Sequence, residues 1–183
     1  MSLSNKKIVI LVEDIYQDQE VWYPYFRLRE EGAEVIVAGT GKKKIYKSKH
    51  GYEIEATADA AKIKASDVDG IIVPGGYAPD ILRRYDFVNN LVADIFKQGK
   101  LVASICHGQW VLCSAGILKG KRATCFFAIK DDVVNAGAKY PDAEVVVDGN
   151  LVTSRCPDDL PAFMREILKI LTSQKPSKTV AVR

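Results

Sequence analysis

Short runs of β-branched apolar residues recur along the chain and constrain its fold more than any other feature. Runs this continuous are typical of strands buried on both faces of a parallel sheet. They cover residues 6–12, 33–39, 69–75, 100–106, 143–149 and 151–154. Segments with helical spacing of apolar residues separate them at 19–31, 86–98 and 158–174. This alternation predicts an α/β fold with a doubly wound, mostly parallel sheet flanked by helices.

Two segments interrupt that alternation with the pattern of β-hairpins. Residues 43–57 alternate around His50-Gly51, and residues 145–154 turn at Asp148-Gly149, a strong hairpin signal. We therefore expect small hairpin additions to the sheet. No linker or repeat divides the chain, so residues 6–174 are predicted to form one domain, with flexible termini at 1–5 and 175–183.

Composition excludes several classes of function. The 26 basic and 23 acidic residues give a net charge of +3 and are scattered, which argues against nucleic-acid binding. The two histidines and four cysteines lack zinc-ligand spacing, and no dinucleotide or P-loop motif is present, so we expect no metal and no cofactor. Without a membrane-length apolar run or a signal-peptide core, we expect a cytoplasmic protein with free thiols and no membrane partner.

The fourth apolar run ends at Cys106-His107-Gly108, where a parallel strand would pass into a helix. In open α/β sheets, ligands bind beyond the carboxyl ends of the strands, so this end is a candidate site. A nucleophile on a tight strand-to-helix turn needs small neighbours, and Ser104 and Gly108 supply them two positions away on either side. This pattern predicts that Cys106 is a nucleophile.

A thiol at this position needs activation. Only ~3% of a free thiol with a pKa of about 8.5 is ionised at pH 7. The following helix contributes about 0.3–2 kcal/mol, which leaves most of the thiol protonated. His107 is the expected cation, and a side chain from the loop after the first run is the expected hydrogen-bond donor.

Pro74-Gly75-Gly76 ends the neighbouring apolar run. Glycines allow backbone N–H groups to approach a substrate closely. Together with the N–H of His107, the amides of Gly75 and Gly76 are therefore predicted to form an oxyanion hole.

Six sequence blocks resemble, in order, the PfpI-type intracellular proteases of the DJ-1/PfpI superfamily. They are "YPYFRLREEGAEV", "KHGYEI", "VPGGYAPD", "SICHG", "IKDDVVNAGA" and "AEVVVDGNLVTSR". The resemblance implies a flavodoxin-like, class I glutamine amidotransferase-like fold, with Cys106 as nucleophile and His107 as base. It also implies a homo-oligomer, a dimer at least or a hexamer built from dimers, with a composite site in which Asp80 of an adjacent subunit is the acid.

The sequence departs from this family at two positions. Asp80 stands where PfpI has glutamate, and the loss of one methylene shortens its reach by about 1.3–1.5 Å, which disfavours a direct contact with His107 and leaves a bridging water as the alternative. An ungapped match places Gln17 where many members carry a glutamate beside the nucleophile. We therefore predict that Gln17 contacts Cys106, or Glu13 or Asp14 if the loop bends differently.

Two classes of function remain open. The first is a cysteine hydrolase that acts on peptides or on small carbonyls such as methylglyoxal and their early protein adducts. The second is a stress-response redox sensor or chaperone in which Cys106 is oxidised, because an accessible, ionised thiol serves either role. Glutamine amidotransferase activity is excluded, since it needs a distant histidine and none follows His107.

Overall fold

Seven strands form the central sheet of the computed structural model, which describes residues 3–174. In chain order the strands are β1 (Lys7–Leu11), β2 (Glu34–Gly39), β3 (Ile45–Lys47), β4 (Glu53–Glu55), β5 (Ala58–Asp59), β6 (Gly70–Val73), β7 (Leu101–Ile105), β8 (Val145–Asp148) and β9 (Leu151–Ser154). The helices are α1 (Asp18–Glu30), α2 (Ala78–Leu82), α3 (Asp86–Lys97), α4 (Gln109–Ser114), α5 (Lys130–Asn135) and α6 (Leu160–Ser173).

The strand order, β5-β2-β1-β6-β7-β9-β8, positions the site. All neighbours are parallel except β8 and β9. The chain runs from β1 to one side of the sheet and then returns for β6 on the other side. A crevice for ligands opens where the winding reverses, beyond the carboxyl ends of the strands. The loops after β1 and β6 therefore meet there, and the end of β7 lies beside them.

Helices cover both faces of the sheet with separate apolar clusters. Val92 of α3 and Leu112 of α4 belong to one cluster, and Leu28 of α1 and Phe163 of α6 belong to the other. Burial of the strands on both faces explains why their sequences are continuously apolar. The face of α1 that packs on the sheet is apolar except for Glu20, an acidic residue that is buried there.

The predicted fold class is confirmed, and the structure refines its details. The hairpin β3–β4 forms a separate two-stranded sheet, whereas the β8–β9 hairpin joins the central sheet through β9. The elements β5, α2 and α5 were not predicted, because they are too short to show periodicity. Pro24 is the seventh residue of α1 and therefore removes one helical hydrogen bond.

The ends of the described chain differ partly from expectation. Leu3 is buried, and its N–H donates to the Glu31 carbonyl at 2.7 Å, so residue 3 is packed rather than loose. The predicted flexible segment 175–183, together with residues 1–2, lies outside the described residues. Between residues 3 and 174, none of the helices combines the length and apolar character needed to span a membrane.

We expect Phe163→Ala to lower the free energy of unfolding by about 3–5 kcal/mol, because the ring is fully buried and its removal leaves a cavity. Phe127→Ala is the control, since that ring is 75% exposed, and we expect a change within about 0.5 kcal/mol. Urea unfolding followed by circular dichroism measures both. Equal losses in the two variants would contradict the assignment of the core.

Candidate active site

Cys106 lies on the turn between β7 and α4 in a strained backbone conformation. Its φ of 61° is in the left-handed region, which side chains with a Cβ rarely adopt. Ser104 and Gly108 make this turn compatible with packing. A Cβ on Gly108 would lie 2.3 Å from the Val73 carbonyl oxygen and 2.5 Å from Ser104 Oγ, so only glycine lets the turn sit against β6. Gly108 therefore shapes the turn, and its predicted place in the substrate pocket stays a prediction.

The double-glycine corner after β6 brings backbone N–H groups to the sulfur. Burial raises the pKa of the Cys106 thiol, and the hydrogen bonds that the N–H groups of His107 and Gly76 donate to its sulfur oppose that rise. Gly76 has a φ of 78°, and a Cβ there would lie 2.4 Å from the Ile15 carbonyl oxygen. The corner can therefore approach the sulfur only with glycine at this position.

Gly75 has a different role from the one predicted. Its N–H donates to Glu20 Oε2 at 2.6 Å, so it is already engaged and does not point to an oxyanion. A Cβ on Gly75 would lie 2.7 Å from both Cys106 Cβ and Glu20 Oε2. The predicted oxyanion donors are thus reduced to the N–H groups of Gly76 and His107, and Gly75 provides the space in which Glu20 meets Cys106.

Glu20 is the carboxylic acid beside the nucleophile. Its side chain is fully buried, and burial raises its pKa to about 7, opposed by the Gly75 N–H, the Cys106 thiol and the charge of Lys49. Its Oε1 has no hydrogen-bond partner among the described residues. A carboxyl group with this pKa is partly protonated at neutral pH and can then donate its proton toward sulfur.

The predicted contact between Cys106 and a side chain of the loop after β1 is wrong, because Glu20 of α1 takes that position. Glu13 instead accepts a hydrogen bond from Thr40 Oγ1 at 2.5 Å, and Asp14 pairs with Lys43. Gln17 contributes its backbone N–H to the Gly75 carbonyl oxygen at 3.2 Å and so holds the glycine corner. The ungapped match selected a loop residue three positions too early.

A sequence signal for Glu20 did exist. Glu20, Pro24 and Leu28 are spaced by four and share the buried face of α1. A carboxylate on an otherwise apolar helical stripe is rarely buried without a partner, so it marks a candidate functional residue.

His107 is a neutral base in this environment. Its Nδ1 is 3.2 Å from Cys106 Sγ, and its ring packs against Trp110 and Phe126 with centroid distances of 5.0 Å each. Burial, followed by the nearby charge of Lys49, lowers the pKa of the imidazole. The expectation of a cationic His107 is therefore corrected, because these surroundings disfavour the imidazolium.

The Cys106 thiol is predominantly protonated before it reacts. Burial raises the pKa of the thiol, and the negative charge of the Glu20 carboxylate raises it further. Ionisation therefore requires a base in contact with the sulfur, and neutral His107 occupies that position. Burial also raises the pKa of Cys113 to about 11 and that of Cys125 to about 12, so these thiols are protonated at neutral pH.

Comparisons with known proteins establish the family of this chain. The model of the DJ-1/PfpI family matches residues 6–170. The chain belongs to the DJ-1/PfpI family.

The relatives of this DJ-1/PfpI protein include enzymes named as deglycases. A deglycase of Pyrococcus abyssi is 46% identical over 165 residues, which cover 90% of this chain and 99% of the relative. The deglycase PfpI of Pyrococcus furiosus is 43% identical over 165 residues, which again cover 90% of this chain and 99% of the relative. The crystal structure of Drosophila melanogaster DJ-1beta is 29% identical, with a TM-score of 0.85 over 97% of this chain and 95% of that one.

These findings confirm the predicted class of cysteine hydrolase and do not favour the alternative of a redox sensor or chaperone. Members of the DJ-1/PfpI family are generally oligomeric. Among the described residues no group of three or more histidine, cysteine or acidic side chains could hold a metal ion.

Asp80 lies in the first turn of α2 and is paired with Arg84 within the chain. This pairing lowers the pKa of its carboxyl group, so Asp80 is ionised at neutral pH. The structure of the single chain shows no contact between Asp80 and His107 within residues 3–174. A contact between Asp80 and His107 would therefore need a second subunit.

We expect Glu20→Gln to remove a pH dependence of stability. The folded pKa of about 7 exceeds the unfolded value of 4.5, so the wild type loses about 3 kcal/mol of stability as pH rises between these values. The amide cannot titrate, so the stability of the variant relative to wild type should increase by that amount over this range. Urea unfolding at pH 4.5 and pH 8 measures the difference.

Glu144→Gln is the matched control, because this side chain is exposed, and we expect its unfolding curves to follow those of the wild type at both pH values. If Glu20→Gln also follows the wild type, Glu20 does not carry the proton assigned to it.

Proposed function

We propose that the protein is a deglycase-type cysteine hydrolase that acts on small reactive carbonyls such as methylglyoxal and on their early protein adducts. The observation that supports this choice most directly is the burial of the nucleophile. Cys106 is only 8% exposed, and the Glu20 carboxyl and the glycine corner enclose its sulfur. A small aldehyde fits such a site better than an extended peptide does.

In the proposed first step, the Cys106 sulfur adds to the aldehyde carbon, and the thiol proton passes to His107 Nδ1. A carbon–sulfur bond forms, and the carbonyl double bond becomes an oxyanion. The N–H groups of Gly76 and His107, which already donate toward the sulfur, stabilise the negative charge on that oxygen. The proton on His107 then passes to this oxygen, and the product of the step is a hemithioacetal.

In the second step, Glu20 is placed to carry a proton between adjacent carbons. The hydrogen on the former aldehyde carbon leaves as a proton to the Glu20 carboxylate, which returns it to the neighbouring carbon, while the hydroxyl proton passes to the ketone oxygen. The ketone thereby becomes an alcohol, and the first carbon becomes a thioester. Water then hydrolyses the thioester to lactate and regenerates the thiol. A carboxyl group with a pKa of about 7 suits both the release and the uptake of a proton at neutral pH.

The active form in this proposal is a homo-oligomer with a composite site. His107 directs Nδ1 to Cys106, and its Nε2 has no hydrogen-bond partner among the described residues, so Nε2 remains for an acid. Asp80 of an adjacent subunit, acting directly or through water, would hold the imidazole in the correct tautomer. We place the enzyme in the cytoplasm, where its four free cysteines would remain reduced.

We expect Cys106→Ala to reduce the rate of methylglyoxal consumption by about a thousandfold or more, because no other thiol reaches the site. His107→Ala should reduce it by about 10²–10⁴, the usual contribution of a general base. Cys113→Ala is the control and should retain the wild-type rate. Methylglyoxal loss, lactate formation and peptide cleavage are measured for each variant.

Activity that survives Cys106→Ala would refute the nucleophile. Oxidation of Cys106 by peroxide, without any turnover of methylglyoxal or peptide in the wild type, would support the redox sensor instead.

We expect Asp80→Asn to be impaired by itself but to complement Cys106→Ala when the two proteins are mixed. Each active site needs Cys106 from one subunit and Asp80 from another, so random exchange of subunits should restore about a quarter of the wild-type sites. Native mass spectrometry confirms the exchange, and methylglyoxal loss measures recovery. Mixed oligomers that stay inactive would contradict the composite site.

A further inference from the structure

The turn of the β3–β4 hairpin is fixed directly beside the glycine corner of the active site. The Lys49 N–H donates to the Tyr16 carbonyl oxygen at 2.9 Å. Tyr16 in turn forms isolated β-bridges with Ser48 on one side and with Gly76 on the other. Tyr16 therefore connects the backbone of Lys49 to Gly76, whose N–H group faces Cys106.

Lys49 differs from the other basic residues of this hairpin, each of which has a partner. Its exposed ammonium group has no hydrogen bond or ion pair with any residue between 3 and 174. The partners of the others are Asp14 for Lys43, Glu55 for Lys44, Glu53 for Lys47, Asp18 for His50 and the ring of Tyr85 for Lys42.

The hairpin turn that carries Lys49 borders the catalytic groups. Its backbone is held to Tyr16, which bridges to Gly76, and its side chain is exposed to solvent. In agreement with that position, its charge opposes the rise in the pKa of Glu20 and lowers the pKa of His107, although burial has the larger effect on both groups. Lys49 is thus a solvent-accessible cation on the hairpin beside a site whose interior contains a carboxyl group.

We propose that Lys49 is the anion-binding part of the substrate site and selects carbonyl compounds that carry a carboxylate beyond the reacting aldehyde. This inference rests on the proposed function and specifies its substrate class. When the aldehyde oxygen lies on the N–H groups of Gly76 and His107, the rest of the substrate extends outward past the hairpin. A carboxylate on that part can accept a hydrogen bond from the ammonium group.

The single charge favours a carboxylate over a phosphate. A phosphate dianion is usually bound by several cations or by a bidentate arginine. Here the neighbouring lysines are already neutralised by Asp14, Glu53 and Glu55. One ammonium group therefore matches the charge of one carboxylate.

The test compares phenylglyoxal with 4-carboxyphenylglyoxal, which differ only in the distant carboxylate. For each variant, the ratio of kcat/KM for the charged substrate to kcat/KM for the neutral one is measured. We expect Lys49→Met to lower this ratio about five- to tenfold, the usual effect of losing a charge-assisted hydrogen bond. The ratio cancels any change that the variant causes through Glu20 or His107, since both substrates use them equally.

Two further variants make the result specific. Lys49→Arg keeps the positive charge and should restore the ratio to within about twofold of the wild type. Lys47→Met removes a lysine of the same hairpin that is paired with Glu53, and it should leave the ratio unchanged. High salt should reduce the wild-type preference, because mobile ions screen an exposed charge.

The outcomes separate this inference from the proposed function. An equal ratio in the wild type and in Lys49→Met, with both substrates consumed, overturns the role of Lys49 alone. A fall of the same size in Lys47→Met also overturns it, because the preference would then reflect the overall charge of the hairpin. A wild-type protein that consumes neither substrate overturns the proposed function itself.

Discussion

The hydrogen bond from the Gly75 N–H to the buried Glu20 carboxyl is the interaction on which the rest of the site depends. It joins α1 to the corner after β6, and the same corner supports Cys106. A buried carboxyl group without such a donor would be very costly to desolvate. The bond therefore makes it feasible to keep an acid against a thiol in the interior, and it fixes the distance between them.

This arrangement sets the protonation of the site near neutral pH. Glu20 and Cys106 are two acids in contact, and burial disfavours the charged form of both. They titrate as a pair in which one negative charge opposes the other. His107, kept neutral by its aromatic surroundings, can accept the thiol proton. The site thus holds both a proton donor and a proton acceptor, as a reaction with two proton transfers requires.

Residues near the end of β7 were predictable because their chemistry is local. The strained turn at Cys106 needs small neighbours, and the spacing of Ser104 and Gly108 shows this in the sequence. The partner of the thiol was not predictable in the same way. Glu20 lies in the first turn of α1, and its approach to Cys106 depends on how that helix packs on the sheet. An ungapped comparison of the β1 loop therefore selected Gln17 instead.

The sequence by itself determined the α/β architecture, the position of the nucleophile and the glycine corner. Each follows from local patterns: apolar runs of strand length, small residues around a tight turn, and glycines that permit a close approach. Only the tertiary structure decided which groups surround the Cys106 sulfur and which of them carry a proton. Burial assigned the raised pKa to Glu20, aromatic packing made His107 neutral, and the bond to Glu20 removed Gly75 from the oxyanion donors. These outcomes depend on contacts between distant segments, which no local pattern contains.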